Sequence, residues 1–532
     1  MNFSTRSKNP DLWSGDIIDN NKMNSHYISI ASIKNYVYND HLIDWISEYE
    51  YKYDSEKAPE IDLFNLHIKK RYLNFKEQVK SRIKEKGIEL RITKHGLNVD
   101  GVRETENYMN EKVPIIMDAH LINKRNHTYG TSSMIILNSH IVDFFGKELF
   151  PNIDKCTYIV VLFNISKVKL CKDNIHIKND KKYVYEKTKC YLYTKALKNN
   201  RYGIILGKNF TFGIIDFEFC DKKCVNISKK SLQWIRKLKI YGSKWSIDPP
   251  SINELYPNMC VNSGHYNYKK YNLSSKNKEI TSVWNVSAKH RNKLLEKGIT
   301  SWDDIRCNSE SMCIKGKNGL LVDKILNINR QSEYLISKDI LNLNYLDWKN
   351  ETAYEDIFID FETIPDPEII FMIGVYWRDG DSWKYKSFIC KELTKDYEYS
   401  IIHKFLIFMK MFKNHRLWYW SAESIIWKNA IKRHNLTNNL NLVDLVDVFK
   451  NEQIVLKDCF TFKLKHIASV MEKYSMIKIK LESECVSGKS AFVQAINYYK
   501  NKNYDIIKDI EKYNSFDVIS IKQILFYLRE KY

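Results

Sequence analysis

Residues 357–364 read IFIDFETI, and this run constrains the chain more than any other. Its apolar residues mark a strand meant for burial, yet Asp360 and Glu362 stand two positions apart within it. Side chains on a strand alternate with a period of two, so both carboxylates fall on one face. Adjacent like charges on a buried strand are costly unless a cation neutralises them. Hard divalent ions such as Mg2+ or Mn2+ take oxygen ligands of this kind.

Two further acidic positions follow. In YNSFD, Tyr513 and Asp517 are four residues apart and share one face of the predicted final helix. Glu423, in RLWYWSAESIIW, lies at the end of a predicted strand just before a helix. Asp444 and Asp447, in NLVDLVDVF, have strand-like spacing; Asp444 reads as structural, with replacement of Glu423 as a ligand its alternative role. Around them, IFIDFETI, IIFMIGVYW, KYKSFIC and LWYW are strand candidates, and YSIIHKFLIFMKMF (399–412) is an amphipathic helix. Together these predict an α/β domain over 351–532. The aromatic cluster Trp418, Tyr419 and Trp420 reads mainly as core, with one ring available to stack on a terminal base.

A length of 532 residues exceeds one ordinary core and implies several domains. The formal net charge is +20, and it is unevenly spread. Residues 1–350 carry 57 Lys and Arg against 39 Asp and Glu, whereas 351–532 carry 27 against 25. Such a surplus favours a polyanionic partner, most commonly nucleic acid. Biased composition, rich in Lys, Asn, Ile and Tyr throughout, is the plainer reading. No stretch has the roughly 18 consecutive apolar residues of a membrane span, so no membrane partner is expected. Eleven cysteines without an apolar leader run read as reduced thiols in an intracellular, reducing compartment.

Upstream, 1–60 is an N-terminal extension with a helical stretch at 41–50. Helical spacing runs from Asp62 to Lys86, with Gly87 as a stop. Strand-like runs follow at 113–122, 133–139 and 158–165, then a helix at 187–200 and a strand at 203–208. This predicts an α/β domain over 61–215. Residues 216–350 form a connector. Its segment 282–306 reads as a helix, a break at Gly298 and a short helix capped by Ser301, which resembles half of a helix–hairpin–helix unit.

The order D-x-E strand, acid after a later strand and Y-x-x-x-D helix resembles the DEDDy branch of ribonuclease-H-like 3′–5′ exonucleases. The YprB/RecB-associated group is the nearest in pattern, through WYWSAES and SGKSAFVQAINYY. The likeness covers roughly 355–532. It implies a two-metal mechanism, with two Mg2+ or Mn2+ ions held by Asp360, Glu362, Asp517 and Glu423. One ion would activate water and the other would stabilise the leaving 3′ oxygen, while Tyr513 orients the water.

Residues 60–215 resemble the PD-(D/E)XK fold of RecB-like nucleases, through EKVPIIMDAHLINKRNHTYGTSSMIILNS, YIVVLFNISKVKL and KTKCYLYTKAL with GIILGKNF. SLQWIRKLKIYGSKWSIDPPSINELYPNM resembles a segment that joins the two modules in large DNA viruses, which implies host cytoplasm or a virus factory. The family's catalytic positions are occupied by Lys76, Ser133, Leu162, Asn164 and Lys189. Without carboxylates such a site cannot hold Mg2+. The resemblance therefore implies a PD-(D/E)XK-like domain that has lost cleavage, a helical connector, and a ribonuclease-H-like mixed-sheet domain. The basic first module either grips nucleic-acid phosphates or only braces the second. DNA is favoured over RNA as the partner. The alternative is a non-catalytic nucleic-acid-binding or scaffolding protein built from two relic nuclease folds. Cys220, Cys224, Cys260 and His265 have looser spacing than zinc ribbons or fingers, and separate thiols are the simpler reading.

Overall fold

The computed structural model describes residues 18–19, 22–23, 26–50, 63–199, 201–330, 333–337, 354–365, 368–437, 440–485 and 487–531. The chain divides into two compact units, residues 1–270 and 271–532. Each contains a mixed sheet with helices packed on it.

In the first unit the order is α1 (Leu63–Glu85), β1 (Leu90–Ile92), α2 (Val99–Asn110), β2 (Ile115–Asn123), β3 (Thr128–Leu137), β4 (Tyr158–Asn164), α3 (Val184–Ala196), β5 (Tyr202–Gly207), β6 (Phe212–Asp216) and α4 (Lys222–Tyr241). The strands lie side by side in that order, and the short strand Ile28–Ser29 pairs with β3. Pairs β1–β2 and β4–β5, and the Ile28–Ser29 pairing with β3, are parallel; β2–β3, β3–β4 and β5–β6 are antiparallel. Phe75, Val79 and Ile83, at helical spacing on α1, bury against Ile159, Val161 and Phe163, at strand spacing on β4. Helix α3 packs closely at Gly203, where a Cβ would meet the Cys190 sulfur at 2.3 Å.

In the second unit, α5 (Ala288–Leu295) and α6 (Gly316–Arg330) precede the sheet. Then come β7 (Glu355–Pro365), β8 (Glu368–Asp379), β9 (Ser382–Ile389), α7 (Lys395–Met409), β10 (His415–Tyr419), α8 (Glu423–His434), β11 (Leu442–Asp444) and α9 (Leu445–Asn451). Helices α10 (Leu464–Lys473), α11 (Gly488–Asn501) and α12 (Tyr504–Lys531) complete it. The sheet order is β9-β8-β7-β10-β11, antiparallel on one side of β7 and parallel on the other. Ile357, Phe358 and Ile359 are fully buried, as expected of a central strand covered on both faces. Phe361 meets Trp427 of α8, and Phe358 meets Phe526 of α12. Period-two alternation therefore turns Asp360 and Glu362 towards α12. The far end of that helix is anchored by Arg529, whose guanidinium donates to Asp356 at 2.5 Å.

The expected connector is shared between the units. Helix α4 belongs to the first, and its Trp234 indole donates to Asp44 at 2.8 Å. Leu294 of α5 and Leu321, Val322, Ile325 and Leu326 of α6 join the core of the second, together with Ile521 and Leu525 of α12. No helix starts at Ser301. Its hydroxyl accepts from the Asp303 amide in a turn, and the Trp302 carbonyl is taken by the Arg330 guanidinium. A four-residue helix at Ser309–Met312 precedes α6 instead. Asp447 is not on a strand either, because β11 ends at Asp444 and α9 follows at once. Trp418, Tyr419 and Trp420 are all buried, so none offers an open ring for base stacking. No helix among the described residues is long and apolar enough to cross a membrane.

Candidate metal centre

Asp360 and Glu362 project from β7, and Asp517 comes from α12. One oxygen from each of these carboxylates lies within 4.8 Å of the others. Glu362 and Asp517 are buried and Asp360 is half-buried. Glu423, also buried, is the first residue of α8; it lies outside that 4.8 Å cluster, near enough for the Asp360 charge to act on it. Two elements thus bring three acids together, and α8 places Glu423 beside them. Tyr513 is one turn before Asp517 on the same helix face.

The electrostatics follow from this crowding. Burial raises the Asp360 carboxyl to about 6, opposed by the charge of Lys465. Burial and the neighbouring Asp360 charge push Glu362, Glu423 and Asp517 well above the ordinary carboxylate range. Burial, with the charge of Asp517, also raises the Tyr513 phenol.

These residues fit a divalent metal. The donors are all oxygens, the choice of hard cations. The buried Oδ1 of Asp517 has no hydrogen-bond partner, although a buried carboxylate oxygen ordinarily has one. Carboxyl groups this close require protons or a cation between them. Among the described residues this is the only such cluster of His, Cys, Asp or Glu. Cys220, Cys224, Cys260 and His265 form none.

Asp444 does other work. Its Oδ1 accepts from the Val446 amide at 2.9 Å, capping α9, and from the Ser421 amide at 3.0 Å. Ser421 has a φ of 83°, so this bond holds a left-handed turn immediately before Glu423.

Two residues at the site escaped the sequence reading. Lys465 of α10 stands 3.7 Å from the centre of the Tyr513 ring, and its charge acts on Asp517, Glu362 and Asp360. No spacing signal in KLKHIAS marks it. Asn514 of α12 is fully buried and donates to Asp360 Oδ2 at 2.7 Å. It stands three residues before Asp517, so helical spacing was a usable signal.

In the first unit the five expected positions carry no acid. Lys76 donates to Asp118, the carboxylate between the Met117–Met134 and Ala119–Ser132 pairs. The Ser133 hydroxyl accepts from Tyr72 at 3.1 Å and from the Phe163 amide at 3.2 Å. Leu162 is buried core, and the Asn164 side chain accepts from the Ser166 amide at 2.8 Å. Lys189 is half-buried beside the Tyr185 ring, and desolvation lowers its pKa.

A family model described as the RNase H superfamily matches residues 357–529. No curated protein matches the chain. The matched segment runs from β7 into α12 and includes Asp360, Glu362, Glu423, Tyr513 and Asp517. Residues 357–529 are therefore similar to the RNase H superfamily, a nuclease-like fold, and the Asp360, Glu362 and Asp517 cluster lies within the matched segment.

Proposed function

We propose that the second unit hydrolyses phosphodiester bonds of nucleic acid, as a DEDD-type 3′–5′ exonuclease using two Mg2+ or Mn2+ ions. The observation that carries this reading is the convergence of Asp360, Glu362 and Asp517, with the Asp517 Oδ1 buried and unpartnered. Asp360, Glu362, Asp517 and Glu423 would hold the metal. Divalent ions bound there supply Lewis acidity at the phosphoryl group and a hydroxide nucleophile near neutral pH. Tyr513, whose raised pKa keeps its phenol protonated, orients a water by hydrogen bonding. Lys465 adds fixed positive charge where the phosphate approaches.

The first unit is read as a PD-(D/E)XK-like module without its acids. In support, α1 precedes β2, β3 and β4, which α3 and β5 follow, with β1 and α2 between α1 and β2. Its basic surplus suits a grip on DNA phosphates.

Polarity is the test. Oligonucleotides labelled at the 5′ end should shorten in a ladder, whereas labels at the 3′ end should be released at once as mononucleotide. Release of mononucleotide from the 5′ end, or internal nicking alone, would contradict the 3′–5′ reading.

A further inference from the structure

We infer that Asn514 is a positioning residue that holds the Asp360 carboxylate for metal, and that Gly374 exists to make room for it. The inference rests on the metal-centre reading above and assigns residues beyond the acids and the tyrosine.

The Asn514 side chain is fully buried and every polar atom of its amide is engaged. Its Nδ2 donates to Asp360 Oδ2 at 2.7 Å and to the Asp360 carbonyl at 3.3 Å, and its Oδ1 accepts from the Tyr385 hydroxyl at 3.0 Å. One amide thus grips Asp360, by carboxylate and carbonyl, from the helix that supplies Asp517.

Gly374 lies on β8 directly opposite Asp360 in the strand register. A Cβ there would stand 1.6 Å from Asn514 Oδ1 and 2.7 Å from its Cγ. No side chain fits while the amide is in place. A glycine in the middle of a strand weakens it, so its presence here calls for such a close approach. The Ser387 hydroxyl of β9 donates to Glu511, one turn earlier on α12, and holds the same helix face against the sheet.

The relay predicts a pattern that core packing alone does not. Groups that orient metal ligands by hydrogen bonding typically change metal affinity about 10–100-fold when removed. In the full-length chain, Asn514→Ala should weaken Mn2+ binding by about that factor, read by calorimetry without substrate. Gly374→Ala should do the same and also lower the metal-free Tm, because its methyl displaces the amide. The double variant Gly374→Ala/Asn514→Ala should recover the Tm lost by Gly374→Ala while Mn2+ binding stays weak. Wild-type Mn2+ affinity in Asn514→Ala, or equally low Tm in the double variant, would overturn the inference. Absence of Mn2+ binding by the wild type would overturn the metal-centre reading itself, and this inference with it.

Discussion

The Lys465 ammonium lies 3.7 Å from the centre of the Tyr513 ring, one helical turn before Asp517. A cation over an aromatic face is attracted to it, and here the same cation also faces three acids. The lysine lowers the proton affinity of Asp360, Glu362 and Asp517. Lys465→Met should therefore raise the pH at which Mn2+ binding is half-maximal. Calorimetric titrations across pH check this; an unmoved midpoint would remove Lys465 from the electrostatics of the site.

The acids themselves make metal-free stability depend on pH. Unfolded, such carboxyls lose protons near pH 4. Folded, Glu362, Glu423 and Asp517 keep them to higher pH. The folded state binds more protons over that interval, so stability falls as pH rises through it. Thermal melts in chelator should show a lower Tm at about pH 8 than at about pH 5.5, and Mn2+ should raise Tm most at the higher pH. Asp517→Asn, which removes one of the clustered charges, should raise the metal-free Tm by about 3 °C or more and abolish the Mn2+ response.

Asp444 and Glu423 should separate cleanly. Asp444→Asn keeps an acceptor for the Val446 and Ser421 amides and should leave Mn2+ binding unchanged. Asp444→Ala should cost about 1 kcal/mol of stability through the lost cap. Glu423→Gln should instead weaken Mn2+ binding and, like Asp517→Asn, raise the metal-free Tm at the higher pH. Calorimetry and melts on the three variants check the assignment.

In the first unit, Asp44 provides an independent titration. Burial raises its carboxyl to about 7, although Asn35 and the Trp234 indole donate to it at 2.7 and 2.8 Å. Between the unfolded value near 4 and about 7 the folded state holds the extra proton, so this unit should lose stability as pH rises, by at most on the order of 4 kcal/mol. Asp44→Asn should flatten that slope, followed by Trp fluorescence during denaturation. An unchanged slope would contradict the assignment.

Parts of this architecture were legible because local periodicity carries them. Asp360 and Glu362 share a face because strands alternate, and Tyr513 and Asp517 share one because helices turn every 3.6 residues. The apolar runs at 158–165 and 203–208 are strands β4 and β5 for the same reason. Lys465 was not legible because its partners are set by tertiary approach, whereas Asn514, three residues before Asp517, carried a helical-spacing signal. The short strands β1, β6 and β11 lack enough residues to show a period. Ser301 misled because a serine ahead of acids imitates a helix cap, while Arg330, nearly thirty residues on, claims the Trp302 carbonyl.

The convergence of Asp360, Glu362 and Asp517, with Glu423 beside them, points to a metal-dependent nuclease centre. Its most direct test is hydrolysis of end-labelled single- and double-stranded DNA and RNA by the full-length chain, with Mg2+ or Mn2+ and with chelator. The wild type should cleave at least one substrate only when metal is present, and the Asp360→Ala/Glu362→Ala variant should fold and cleave none. A wild type inert on every substrate, or a double variant that cleaves as well as the wild type, would contradict the account.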